Sequence, residues 1–239
     1  MKENDYTANV IYKAAIDEEK EWRRNGNAHD VAVMDRLLEE VRELGYRYRY
    51  FADITNRENT EKAYLTLLLK YIDQFHDDYF SAALVGTVGI RGNVSATETI
   101  LNSYMGLSDD GKRKNAVFYD NALSRIKDKR YLHTYLELLK KPEDAIKLPL
   151  TMIMLGKWQL DEAKPYFLEY LNLNSELFYL NQKTSDLVFI SLEALSYYRD
   201  PDGVIMKVLS DKLNTDDKAL IRSTQKVIKR LRKRNSDNC

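Results

Sequence analysis

The side chains able to do chemistry are few. The 239-residue chain has three histidines, His29, His76 and His133, and the first two are each followed by aspartate, giving the pairs His29/Asp30 and His76/Asp77. Imidazole nitrogen and carboxylate oxygen together can hold a divalent metal. Both pairs, however, fall where helices are expected to begin, and aspartate at that position accepts the orphan N–H groups of the first turn. They read as caps, and no metal is expected. The one cysteine, Cys239, is the last residue, so neither an intrachain disulfide nor a cysteine-based metal site is available. No G-x-S-x-G elbow occurs, so no serine is presented as a nucleophile in that way.

The stretch "VGTVGIRGN" carries Gly86, Gly89 and Gly92. It lacks the Gly-Lys-Ser/Thr ending of a phosphate loop and has no strand before it. Close helix packing through small residues accounts for it better. Carboxylate pairs recur at Glu18/Glu19, Glu39/Glu40, Asp77/Asp78, Asp109/Asp110 and Asp216/Asp217. Nearly all sit at helix starts or on helix surfaces, where they complement the macrodipole or stay solvated. With no catalytic residue and no cofactor site to assign, the chain is expected not to be an enzyme.

Charge narrows the partners. Lys+Arg and Asp+Glu are equal at 37 each, so no overall field draws in nucleic acid or an anionic membrane. The local exception lies between Thr215 and Arg234, with eight basic residues and two acidic ones. At helical spacing Lys218, Arg222, Lys226, Lys229 and Lys233 form one cationic stripe opposite Leu220, Ile221, Val227, Ile228 and Leu231. Such a stripe could dock an acidic protein or a phosphate backbone, or it could be the polar outer face of a terminal helix. "YRYRYF", residues 46–51, interleaves aromatics with arginines. That pattern stacks bases in single-strand binders, but tyrosines more often pack, here as a linker or as a helix burying Tyr46, Tyr50 and Ile54.

The elements that must carry these residues are helices. Glycine and proline number only 9 and 4, too few for the turns of a sheet protein, so an all-α fold is expected. An N-terminal block over residues 1–76 offers helices from about Asp5 to Arg24, from Asp30 to Leu44 with Gly45 as stop, and from a cap at Asn59 onward, burying Tyr64, Leu68, Tyr71, Ile72 and Phe75. Helix pairs then follow over residues 77–234, ahead of a disordered tail at 235–239, all in a single domain. The first helices of successive pairs end near Ile90, Ile126, Leu155 and Tyr198, spaced by 36, 29 and 43 residues, a loose repeat of hairpin length. A cap at Asp161 makes Pro165 cheap, Pro142 and Pro201 sit near helix starts, and Pro149 predicts a kink inside a helix.

"AIKLPLTMIMLGKWQLDEAKPYFLEYL" resembles a unit of the HEAT-repeat family, with Pro149 in the kink position, and the residues from "SLEALSYYRDPDG" to "VIKRL" are similar to one and a half more. The likeness covers roughly residues 77–231, with the first pair departing from it through its three glycines. It implies an α-solenoid whose second helices form a concave protein-binding ridge. On those helices Arg130, His133, Glu137, Lys164, Lys207 and Asp211 point away from the apolar stripe, and mixed charge suits a protein partner. The expectation is a non-enzymatic protein–protein interaction module: a scaffold or adaptor, or a bacterial toxin-neutralising immunity or inhibitor protein.

The alternative is a nucleic-acid binder resembling the HEAT-like alkylpurine DNA glycosylases. This chain departs from them in its neutrality and in Trp22 and Trp158, neither of which sits beside an obvious Asp and Arg in a second helix. Nor is there a His-Glu pair like that of the iron-binding HEAT-like hydroxylases. The two His-Asp pairs resemble the metal phosphohydrolases of the HD family only at that dipeptide. No apolar run approaches membrane-spanning length, and the polar start "MKENDYTAN" lacks a signal peptide's apolar stretch. A cytoplasmic protein is expected.

Overall fold

A computed structural model describes residues 3–55, 59–173, 178–179 and 182–236. Cys239 lies outside them, as does most of the expected tail. The described chain is helical apart from one antiparallel pair of two-residue strands, and it forms two compact units, Met1–Ile126 and Lys127–Cys239. Among the described residues no helix is long and apolar enough to cross a membrane.

The first unit holds α1 (Glu3–Asn25), α2 (Ala28–Glu43), α3 (Phe51–Thr55), α4 (Lys62–Leu69), α5 (Asp78–Val88), α6 (Thr97–Gly106) and α7 (Asp109–Ile126). Helix α2 starts at Asn27, whose side chain accepts the N–H of His29, and it ends before Gly45, which takes a left-handed φ of 95°. Asp30 therefore lies in the first turn of the helix and is not its cap. Val33, Met34, Leu37, Leu38 and Val41 bury the α2 face that packs on α4. Helix α4 is shorter than its apolar pattern predicts. After Leu69 the N–H groups of Lys70, Tyr71 and Gln74 bond three residues back, a tightened 3₁₀-type winding that still buries Tyr71, Ile72 and Phe75. Within "YRYRYF" only Phe51 is helical, opening α3; Tyr48 is buried and both arginines are exposed.

Helix α5 lies along α7, and two of the three glycines explain how closely. A Cβ added to Gly89 would come 2.2 Å from that of Ala122, and one on Gly86 would meet Phe118 at 3.1 Å. The third, Gly92, supplies a positive φ of 86° in the turn that follows.

The second unit holds α8 (Leu132–Leu139), α9 (Pro142–Ala145), α10 (Pro149–Trp158), α11 (Lys164–Tyr170), β1 (Phe178–Tyr179), β2 (Gln182–Lys183), α12 (Thr184–Leu195), α13 (Val204–Asp211) and α14 (Lys218–Ser236). Helices α10, α12 and α14 pack against one another in chain order, with α11 on α12 and α13 on α14. The α10–α12 contact again uses glycine: a Cβ on Gly156 would fall 2.5 Å from the carbonyl oxygen of Ala194.

The prolines correct two expectations. Pro149 does not kink a helix. It divides α9 from α10 and begins the latter, with Leu148 before it at φ −119° and ψ 52°. Proline lacks an N–H and its ring opposes the carbonyl four residues back, so a break is cheaper here than a bend. Pro165 lies in the first turn of α11, behind the N-cap Ala163, so Asp161 is not the cap. Pro142 opens α9 as expected. Near Pro201, the buried Asp200 accepts the N–H groups of Ile205 and Met206 at 2.9 and 2.7 Å, capping α13 from across its preceding turn.

Candidate binding groove

In the first unit, α1 presents Ile11, Ala14, Ala15, Glu18 and Trp22 at helical spacing, all on one face. That face looks across a groove of about 810 Å³ at α5 and α7, with α3 beneath. Small residues give it depth, since Ala14, Ala15, Ala83 and Gly86 line it. Aromatic rings make its floor: Trp22 meets Phe80 edge-on at 4.5 Å, and Phe51 meets Phe80 at 5.1 Å. Tyr79 and Phe118 continue the apolar wall at 6.3 Å.

The rims expose what a folded core would bury. Ile11 is 61% exposed, Val117 59% and Tyr79 54%. One such residue is ordinary; here three lie around a single cleft rather than scattered over the surface. The groove's charged lining is mainly acidic, with Glu18, Glu19 and Asp77 against Arg125. Glu19 is already committed: buried, it accepts the N–H groups of Phe51 and Ala52 at 2.7 and 3.4 Å and pairs with Arg23 at 3.1 Å. It thereby caps α3 from α1. In return, Asp53 of α3 accepts from the Tyr12 hydroxyl at 2.5 Å and from the N–H groups of Arg49 and Tyr50. These contacts hold the second half of α1 in place as a groove wall.

The expected ridge residues lie in the second unit. Arg130 is in a 3₁₀ turn ahead of α8, where its guanidinium forks onto the buried carboxylate of Asp128, which pushes its pKa up. His133 and Glu137 are one turn apart at 3.8 Å, and Lys140 also pairs with Glu137, holding its carboxyl below the usual range. Lys164 reaches Asp202 at 4.0 Å, while Lys207 and Asp211 are exposed on α13. The stripe residues Lys218, Arg222, Lys226, Lys229 and Lys233 are all exposed on α14, with Val227, Ile228 and Leu231 buried behind them. Nearby, Lys157 and Arg234 each sit 5.2 Å from the centre of the Tyr197 ring.

The groove was not anticipated from the sequence. Its signals are the adjacent apolar pair Val10 and Ile11 in α1 and the off-stripe Val117 in α7, each of which a single-faced helix would replace by a polar residue. Comparison of the chain with protein-family models, curated proteins and solved structures finds no match.

Proposed function

We propose that the chain is a non-enzymatic protein-binding module whose first unit receives an amphipathic helix of its partner in the groove between α1, α5 and α7. The observation that carries this reading is the exposure of Ile11, Tyr79 and Val117 around an aromatic floor. Size agrees with it. The lining segments 11–22 of α1 and 77–87 of α5 span roughly 16–18 Å at 1.5 Å per residue, enough to seat three helical turns. Helix-in-groove recognition uses apolar anchors at such spacing, and Glu18 and Asp77 favour a basic residue beside them.

The HEAT-like reading belongs to the same proposal. It is supported by the succession α10, α12, α14 and by the recurrence of a glycine-to-alanine approach at Gly89/Ala122 and Gly156/Ala194. A solenoid of this kind would make Arg130, His133, Glu137, Lys164, Lys207 and Asp211 a second contact surface. An adaptor, or an inhibitor of the toxin-neutralising immunity kind acting in the cytoplasm, is the narrower form of the proposal.

The test is affinity capture from the source cell with the intact protein and with Tyr79→Asp/Val117→Asp. One stoichiometric protein retained by the first and lost by the second supports the groove. Equal recovery by both overturns it.

A second reading, nucleic-acid binding, is favoured by the exposed cationic stripe of α14 and the cation-flanked Tyr197. A DNA titration against salt separates the two. Phosphate contacts impose a steep loss of affinity with rising salt, and weak, salt-indifferent binding eliminates this reading.

A further inference from the structure

The two His-Asp pairs, which lie far apart in sequence, meet in the fold. Asp30, 1% exposed, directs both carboxylate oxygens at the start of α5, accepting the N–H of His76 at 2.7 Å and that of Asp77 at 3.0 Å. This brings the exposed rings of His29 and His76 into a stack, with centroids 4.1 Å apart and planes 12° apart. One donor atom from each of His29, Asp30 and His76 lies within 4.8 Å of the other two.

We propose that His29, Asp30 and His76 form a binding site for a divalent transition-metal ion of the Zn²⁺ type, which clasps the start of α2 to the start of α5. The ligand chemistry selects the ion. Two imidazoles and one carboxylate suit Zn²⁺, Co²⁺, Ni²⁺ or Cu²⁺, whereas Ca²⁺ and Mg²⁺ need more oxygens.

Orientation favours it as well. The Nε2 of His29 is 3.0 Å from the backbone oxygen of Gln74. A carbonyl can only accept, so in the neutral ring the proton sits on Nε2 and Nδ1 carries the lone pair. A backbone carbonyl behind the ring is a usual support of a metal-bound histidine. Asn27 holds the His29 segment through its Oδ1, which accepts the His29 N–H at 2.8 Å; its amide nitrogen donates toward Nδ1 of His76 at 3.4 Å, a long contact that the ring gives up when it turns a lone pair to an ion. Each oxygen of Asp30, with one N–H already bound, keeps lone-pair capacity for an ion.

The movement required is small. Bonds of about 2.0–2.1 Å in a tetrahedral site put ligand atoms roughly 3.4 Å apart, so the two rings must tilt out of their stack and draw in by about an ångström. Both are at the surface, where rotation is open to them. Three protein ligands leave a fourth position for water.

Titration of the full chain with Co²⁺, followed by its visible absorption, tests the site. The expected result is saturation at one equivalent, displacement by Zn²⁺, no competition from Mg²⁺ and weakening on acidification, because the ligand imidazoles must be neutral. Changing a residue that merely supports a metal ligand costs about 10–100-fold in affinity, so His29→Ala and His76→Ala, each losing a ligand, should cost at least roughly tenfold. Circular dichroism checks that these surface variants stay folded. No saturable band, or a band that both variants retain because His133 or Cys239 supplies it, overturns the proposal.

Discussion

The carboxylate of Asp30 lies 2.7 Å from the backbone nitrogen of His76, 46 residues further along the chain, and its second oxygen takes the next N–H, that of Asp77. Removing it leaves two N–H donors without their partner at a part-buried junction. At about 1–3 kcal/mol per unsatisfied group, Asp30→Ala should lower the unfolding free energy by roughly 2–4 kcal/mol. Asp77, which caps α5 through the N–H of Tyr79 at 2.9 Å, is exposed, and Asp77→Ala should cost only about 1 kcal/mol. Urea unfolding of the two variants measures the contrast; equal losses would show that Asp30 is an ordinary local cap.

That pair marks how far the sequence could be read. Its local chemistry was legible: Asp77 is the cap that its position predicts, and the 3.6 periodicity located nearly every helix. What it could not convey was that Asp30 serves a helix 46 residues away, because a buried carboxylate serving a distant helix and a local cap have the same sequence signature. The groove was hidden for a related reason. Ile11 and Val117 look like surplus core residues until the arrangement of α1, α5 and α7 leaves them facing open space. Pro149 predicts a kink and instead opens α10, because whether a helix bends or breaks at proline depends on the partners available to the freed carbonyls, which the sequence does not show.

A pH dependence follows from Tyr71, whose hydroxyl donates to Glu40 at 2.6 Å. Burial first, and then this bond, push the phenol up to about 12, while the bonds from Tyr71 and Lys70 hold the Glu40 carboxyl below its usual value. A phenol raised above its unfolded value of about 10 stabilises the fold fully below that pH, and its contribution is lost as pH climbs through the folded value. For Glu40 the sign reverses: its contribution is present above the unfolded pKa and lost as pH falls through the lower folded one. Denaturant midpoints of wild type and Tyr71→Phe should therefore differ by a constant amount near neutrality and converge at alkaline pH. A gap that widens above pH 10 would contradict the bond.

Two glycine-to-alanine changes should have opposite signs. Gly106 ends α6 with nothing within 4 Å of an added Cβ, so Gly106→Ala should stabilise by up to about 1 kcal/mol through helix propensity. At Gly156 the same methyl would meet the backbone of Ala194, with its oxygen at 2.5 Å and its Cα at 2.7 Å. Backbone cannot rotate aside, and overpacking of this kind costs about 1–3 kcal/mol. Thermal melts of both variants decide whether α10 and α12 approach as closely as described.

The groove wall formed by α1 depends on Glu19, whose buried carboxylate reaches the first two N–H groups of α3 while pairing with Arg23. Since α1 packs mainly on α3 whereas α5 is fixed along α7, loss of Glu19 should free the wall and leave the floor intact. Hydrogen bonds to a charged group are worth about 1.5–3 kcal/mol. Glu19→Ala should therefore speed hydrogen exchange in residues 10–25 by roughly 10- to 100-fold, at 1.4 kcal/mol per tenfold, with α5 and α7 keeping their protection. A partner helix that fills the groove would reverse the change by bridging Ile11 to Val117. Exchange that accelerates equally in α1, α5 and α7 would mean instead that the unit opens as one body, with no separable wall for a ligand to hold.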